Sequence, residues 1–266
     1  MAKTTRTRAT LAATSVAALA LLGVSVTVTG EPVKGDVVHA QADLPPATGD
    51  QIASVVALGD SVPAGAACDC TDFVSLVAQR IAARQGAAVT ATNASVPSQT
   101  SDGLLEGLAD PEVDDAVRGA DVVIIEIGAN DFDSEPLFDD QQLDPAEVYG
   151  DALADLHDNL TAVVSTVRSL RSDVQVVLVG YWNNFEAGSE AEQYGAAYEA
   201  NSVAVTDASN AVIAQVAAET GATYVDLVGV FLDTPGDISQ LLEDDGDHPN
   251  QRGHELIANA VAAAVH

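Results

Sequence analysis

The sequence predicts an α/β protein, a three-layer α/β/α sandwich built on a five-stranded parallel sheet. Three observations carry that expectation. Five short runs rich in Val, Ile and Leu alternate with longer stretches whose apolar residues recur at helical spacing. No repeat or long linker divides the chain. Polar clusters containing Gly, Asn, Asp or Ser follow the strand ends, as at the carboxyl edge of a parallel sheet that carries a site.

The elements follow in order. Val55–Leu58 reads as the first strand, broken at Gly59-Asp60-Ser61 because Pro63 and Gly65 cannot extend it. Thr71 is expected to cap a helix whose apolar positions, Phe73, Val74, Val77 and Ile81, share one face and which ends at Gly86. A second strand covers Ala88–Thr92, and a polar loop, Asn93–Thr100, leads to two short helices near 104–108 and 112–118. The third strand spans 121–127 and breaks at Gly128-Ala129-Asn130-Asp131. Pro145 opens a helix running to about Leu170. Val174–Val179 is the fourth strand, and a helix over 190–219 is interrupted near Gly195. Thr223–Leu227 is the fifth strand; an irregular Asp-rich segment then leads to a closing helix through Ala264.

Residues 1–42 read as a signal peptide. Lys3, Arg6 and Arg8 precede an apolar run, Leu11–Val28, and small residues place cleavage near Ala40 or Ala42. A retained N-terminal anchor is the alternative, because the run is long for a signal sequence. On the first reading the protein is secreted, holds no stable membrane association and is a monomer. Residues 43–51 form a Pro-containing leader that stays mobile up to the first strand, and 52–266 the single domain.

Charge narrows the partners. The chain has 40 acidic against 10 basic residues, a net charge of −30, and losing residues 1–42 removes four of the bases but only two of the acids. Such a field repels nucleic acid and anionic membranes, which leaves a small-molecule, lipid or glycan substrate. Cys68-Asp69-Cys70 holds the only two cysteines. In an oxidising compartment they are expected to form a local disulfide, and two thiolates are too few for a metal site. Neither a metal nor another cofactor is expected.

The polar clusters contain a nucleophile and its helpers. Ser61 stands where a strand meets a turn before a helix, so backbone N–H groups there can face a developing negative charge. A serine needs a base, and His248, on a loop before Pro249, is the histidine placed to act. His254 is expected at the surface of the last helix. Asp245, three residues before His248, can orient it through a turn at Gly246, with Asp244 and Asp247 as competitors. The Asn130 amide can donate to an oxyanion. Tyr181, Trp182, Phe185, Tyr194 and Tyr198 gather much of the scarce aromatic surface, 4% of the chain. They point to a cleft wall, with Trp182, Asn183 and Phe185 as candidate substrate contacts.

Gly59-Asp60-Ser61, Gly128-Ala129-Asn130-Asp131 and Asp245-Gly246-Asp247-His248 occur in the order and spacing of the SGNH/GDSL hydrolase superfamily, which the chain resembles over residues 52–265. The resemblance implies a flavodoxin-like sandwich that hydrolyses esters, thioesters or related acyl bonds without a metal. It implies Ser61 as nucleophile, His248 as base and Asp245 as its orienting acid. The oxyanion donors would be the Ser61 backbone N–H, the Asn130 side chain and the backbone N–H at Ser98. Ser98 departs from the family pattern, which has glycine in that loop, so Ser98 must adopt the backbone conformation a glycine allows. Pro63 also replaces the last glycine of a Gly-x-Ser-x-Gly elbow, which argues against the α/β-hydrolase arrangement. Two other classes compete: a non-catalytic secreted binding module on the same fold, and a metal-dependent phosphoesterase using Asp60, Asn130, Asp131, Asp245 and His248.

Overall fold

Strand β2 (Ser54–Gly59) is the spine of the molecule, flanked by β3 (Val89–Asn93) and β4 (Val122–Glu126), with β5 (Gln175–Val179) and β6 (Thr223–Val225) beyond β4. These five pair in parallel. The structure is a computed structural model and describes residues 36–40, 44–185 and 187–266. The sheet order reverses direction at β2, which creates a crevice at the carboxyl ends of β2 and β4. Val55–Leu58, Val122–Ile125 and Val176–Val179 are buried throughout, the continuous apolar pattern of strands covered on both faces.

Helix α1 (Phe73–Gln85) packs on α9 (Gln251–Ala264) in one covering layer. In the other, α5 (Gly150–Leu170) packs against α7 (Ala196–Thr220) and α2 (Ser101–Gly107), with α3 (Pro111–Arg118) alongside α5. The expected three layers and five parallel strands are therefore present.

The structure adds a sixth strand. β1 (Asp36–Ala40) pairs antiparallel with β3, from Asp36 opposite Asn93 to Ala40 opposite Val89. It gives hydrogen-bond partners to an edge that would otherwise stand open. This strand falls within the expected signal peptide; residues 1–35 and 41–42 of that segment lie outside the described residues. The expected leader is tied down rather than mobile: the Ala88 N–H donates to the Pro45 carbonyl, and Leu44 packs on the core.

Several local expectations shift. Asp72, not Thr71, caps α1, its carboxylate accepting the Ser75 N–H at 2.9 Å. The helix opened by Pro145 is two pieces, α4 (Pro145–Val148) and α5, because Tyr149 leaves helical geometry to pack edge-on against Phe132. The interruption near Gly195 separates α6 (Ser189–Glu192) from α7. The segment taken as irregular folds as α8 (Leu227–Leu232) and a 3-10 turn (Ile238–Leu241), capped by Asp226 and Asp237. His254, expected at the surface, is fully buried on α9 and stacks on Phe73, ring centroids 6.3 Å apart. Burial pushes its pKa down to about 4, so the imidazole is neutral near pH 7.

Candidate active site

The turn after β2 forms because Gly59 has no side chain. Its φ is 155°, and a Cβ there would collide with the Glu126 carbonyl oxygen on β4. The close approach lets the Asp60 N–H donate to that carbonyl at 3.2 Å, so the chain turns sharply and offers Ser61 to the crevice. Asp60 points into the protein and is fully buried; its carboxylate accepts the Val62 N–H at 3.1 Å and the Tyr181 hydroxyl. Asn93, at the end of β3, braces the same turn by donating to the Pro63 carbonyl at 2.6 Å.

The loop after β4 supplies Asn130. Gly128 takes φ 128°, and the 3-10 turn Ala129–Asp131 follows. The Asn130 amide donates to the Gln99 carbonyl at 3.0 Å, leaving a second amide hydrogen. Asp131 braces this loop against its neighbour, accepting the Ser101 N–H and, at 2.8 Å, the Ser101 hydroxyl. Ser98, in the adjoining loop, has φ 63°, one of two described non-glycine residues in the left-handed region. The glycine-like backbone expected at Ser98 is thus adopted by serine, at a cost of about 1–2 kcal/mol.

His248 arrives from the turn before α9. Its Nδ1 lies 2.8 Å from Asp245 Oδ2, and the backbone N–H groups of Asp247 and His248 donate to Asp245 Oδ1, each at 3.0 Å. Asp247 is the weaker competitor, at 3.7 Å from Nδ1. Partial burial raises the Asp245 pKa, but the three donors outweigh it and hold the carboxyl below the usual range. With Nδ1 engaged by the carboxylate, Nε2 is the nitrogen able to accept a proton. Asn250 caps α9 from Arg252 and Gly253, fixing the approach of this turn.

Ser61 and Asn130 line one cavity of about 330 Å³, together with Phe132, Asn184, Phe185 and Asp247. Of the candidate substrate contacts, only Phe185 lines it. Trp182 is a core residue, stacked on Phe231 of α8 with centroids 4.5 Å apart, because the segment taken as irregular is a helix with an apolar face. Asn183 turns the other way: its amide donates to the Ser202 hydroxyl of α7, and its carbonyl accepts the Phe185 N–H. Neighbouring Asn184, which the sequence reading missed, lines the cavity, as does Tyr198, whose hydroxyl donates to the Phe185 carbonyl at 2.9 Å. The scarcity of aromatics located the right segment without telling which side chains face inward.

A second acidic group lies beneath the turn. Burial pushes the Asp60 pKa up to about 6, while its hydrogen bonds from Tyr181 and Val62 oppose the rise. Glu126 is fully buried, neither carboxyl oxygen has a hydrogen-bond partner among the described residues, and its pKa stands well above the usual range through burial and then the Asp60 charge. Nothing in the sequence marks Glu126 beyond a charge inside an apolar run. Among the described residues, Asp60, Asp131, Asp245 and His248 form no three-donor metal cluster; the group that does is Cys68, Cys70 and His254.

The chain is similar to known proteins in sequence and in fold. A family model described as the GDSL-like lipase/acylhydrolase family matches residues 57–256. The uncharacterized protein YpmR of Bacillus subtilis (strain 168) is 29% identical over 214 residues, covering 79% of this chain and 80% of its own. The lipase Lip_vut3 from a goat rumen metagenome superposes with a TM-score of 0.65 at 19% identity, over 80% of this chain and 97% of its own. An extracellular lipase from Streptomyces rimosus gives 0.58 at 22% identity, over 80% and 100%. At these identities the solved structures show a shared fold.

Proposed function

The chain belongs to the GDSL-like lipase/acylhydrolase family, a hydrolase of the esterase and lipase type, and from that premise we propose that it is a secreted serine esterase working through Ser61, His248 and Asp245. The observation that carries this reading is the 2.8 Å Asp245–His248 pair, with Ser61 and Asn130 lining the adjacent cavity.

In the proposed reaction the Ser61 hydroxyl attacks the ester carbonyl carbon while His248 Nε2 takes its proton. Asp245 holds the imidazole in the tautomer that leaves Nε2 open and stabilises the imidazolium that forms. The oxyanion receives the second amide hydrogen of Asn130 and the backbone N–H groups of Ser61 and Ser98. Return of the proton to the leaving alkoxide releases the alcohol and leaves an acyl-serine. Water, deprotonated by His248, then attacks that ester and regenerates Ser61 with release of the acid.

The substrate we infer is a neutral ester with a short acyl chain. The cavity mixes Phe132 and Phe185 with polar Ser134 and Asn184, and the surface carries a large negative charge. Exposed Phe138 and Tyr194 extend an aromatic rim outward from Tyr198, with ring centroids 4.8 to 5.2 Å apart.

The test is hydrolysis of p-nitrophenyl acetate, butyrate and decanoate by the wild type and Ser61→Ala. We expect turnover lost in the variant, by about 10⁴-fold or more, and butyrate preferred over decanoate. Activity retained in Ser61→Ala overturns the assignment of the nucleophile; a preference for decanoate overturns the short-chain reading alone.

A further inference from the structure

His254 presents a problem that the proposed hydrolysis does not solve. It is fully buried, and neither ring nitrogen has a hydrogen-bond partner among the described residues. Leaving such groups unpaired costs about 1–3 kcal/mol, so an orphaned buried imidazole calls for a physical reason. Its neighbours supply one. The Sγ atoms of Cys68 and Cys70 and a nitrogen of His254 all lie within 4.8 Å of one another.

The fold holds these three groups together from two elements. Cys68 and Cys70 sit on the loop entering α1, and His254 projects from α9, the helix that packs on α1. The Thr71 N–H donates to Gln251 Oε1, tying that loop to α9 one residue past Cys70. Phe73 stacks on the imidazole and limits its rotation.

We propose that the dithiol form of Cys68 and Cys70, together with His254, is a binding site for a soft or borderline transition-metal ion such as Zn²⁺ or Co²⁺. Two thiolates and one imidazole are a donor set suited to these ions. In a tetrahedral site, metal–sulfur bonds of about 2.3 Å set sulfurs roughly 3.8 Å apart, so the two sulfurs, about 2.0 Å apart in a disulfide, part by close to 2 Å, about an ångström each. Cys68 and Cys70 line an open groove of about 420 Å³ together with Glu243 and Asn250, through which an ion can reach the sulfurs.

The two cysteines stand at disulfide-bonding distance, so the disulfide and the metal site are alternative states of one cluster. A dithiol reductant passes two electrons and two protons to the sulfurs and leaves as its own disulfide. The ion then displaces both thiol protons and bonds to the two sulfurs and one imidazole nitrogen.

The experiment is an anaerobic titration of the folded, phosphine-reduced full chain with Co²⁺, followed by its thiolate charge-transfer and tetrahedral ligand-field absorption. We expect both bands to saturate together at one ion per chain, to vanish in Cys68→Ser/Cys70→Ser, and to be competed away by Zn²⁺. In His254→Phe, an aromatic replacement that keeps the stack on Phe73, affinity should fall by more than about tenfold, since loss of even an outer-shell partner costs that much. Circular dichroism checks that each variant is folded, and an unfolded His254→Phe is replaced by His254→Gln. A reduced wild type without these bands overturns the proposal, as does a band unchanged by substitution of His254. Cysteines that resist reduction until the chain unfolds overturn it equally.

Discussion

Two acidic regions flank Ser61, and the same kind of side chain behaves oppositely in each. Asp245 lies near the surface with three donors aimed at it, and its pKa falls below the usual range. Asp60 and Glu126 lie beneath the turn, and burial drives both upward. Asp60 is partly compensated by two donors, Glu126 by none. Donor count against desolvation therefore decides the charge state, and proximity to Ser61 does not. One region holds a negative charge beside His248, where the proposed mechanism forms an imidazolium. The other stays partly protonated, so a like charge does not accumulate under the turn.

The sharpest way to test this contrast is Asp245→Asn. The amide keeps the size but offers Nδ1 the wrong hydrogen-bonding group, and kcat should drop by about 10³–10⁴-fold. Asp247→Asn, altering the group 3.7 Å from Nδ1, should change it by less than about threefold. Equal losses would dissolve the distinction between the two carboxylates.

In the buried region, Tyr181→Phe removes the hydroxyl that donates to Asp60. The loss of stability should be about 1.5–3 kcal/mol at pH 8, where the acceptor is charged, and smaller near pH 4, where Asp60 is protonated in both variants. Denaturant unfolding at the two pH values measures it; a loss independent of pH would mean that Asp60 does not titrate between them.

The sign of the pH dependence follows from linkage. Asp60 titrates at about 6 when folded, against 3.8 ordinarily. Between those values the folded chain binds more protons than the unfolded one, so this group's contribution makes stability fall as pH rises through that window. Glu126 extends the decline to higher pH. Glu126→Gln should therefore melt close to wild type at pH 4 and gain on it progressively towards pH 8. A gap that stays constant in calorimetry would show Glu126 to be uncharged, or charged, throughout.

The smallest expected effect is at Ser98. Ser98→Gly relieves a left-handed backbone but adds freedom to the unfolded chain, so stability should rise by no more than about 1 kcal/mol. The N–H is retained, and ester hydrolysis should stay within about twofold. A tenfold change would give the Ser98 side chain a part that its proposed backbone role does not include.

The contrast also explains what could be read in advance. Asp245 and His248 are three residues apart, and one turn joins them, so their meeting is a local property of the chain. Glu126 and Tyr181 come near Asp60 only because β4 pairs with β2 and β5 lies next beyond β4, and no spacing announces that. Trp182 and Asn183 mark the same limit. Their segment was found from composition, but which side chain faces the cavity depends on α7 and on α8, whose Phe231 covers Trp182.

The sequence by itself determined the five parallel strands, the turn at Gly59 and the pairing of Asp245 with His248. Apolar periodicity, the absence of a Cβ and a three-residue separation act over one element or one turn. Tertiary structure alone decided the charge state of Asp60 and Glu126, the burial of His254 beside Cys68 and Cys70, and the edge strand β1. Each of these depends on what a distant part of the chain places against a residue. Desolvation and cross-element contact are properties of that surrounding, which the residue's own neighbours in sequence do not fix.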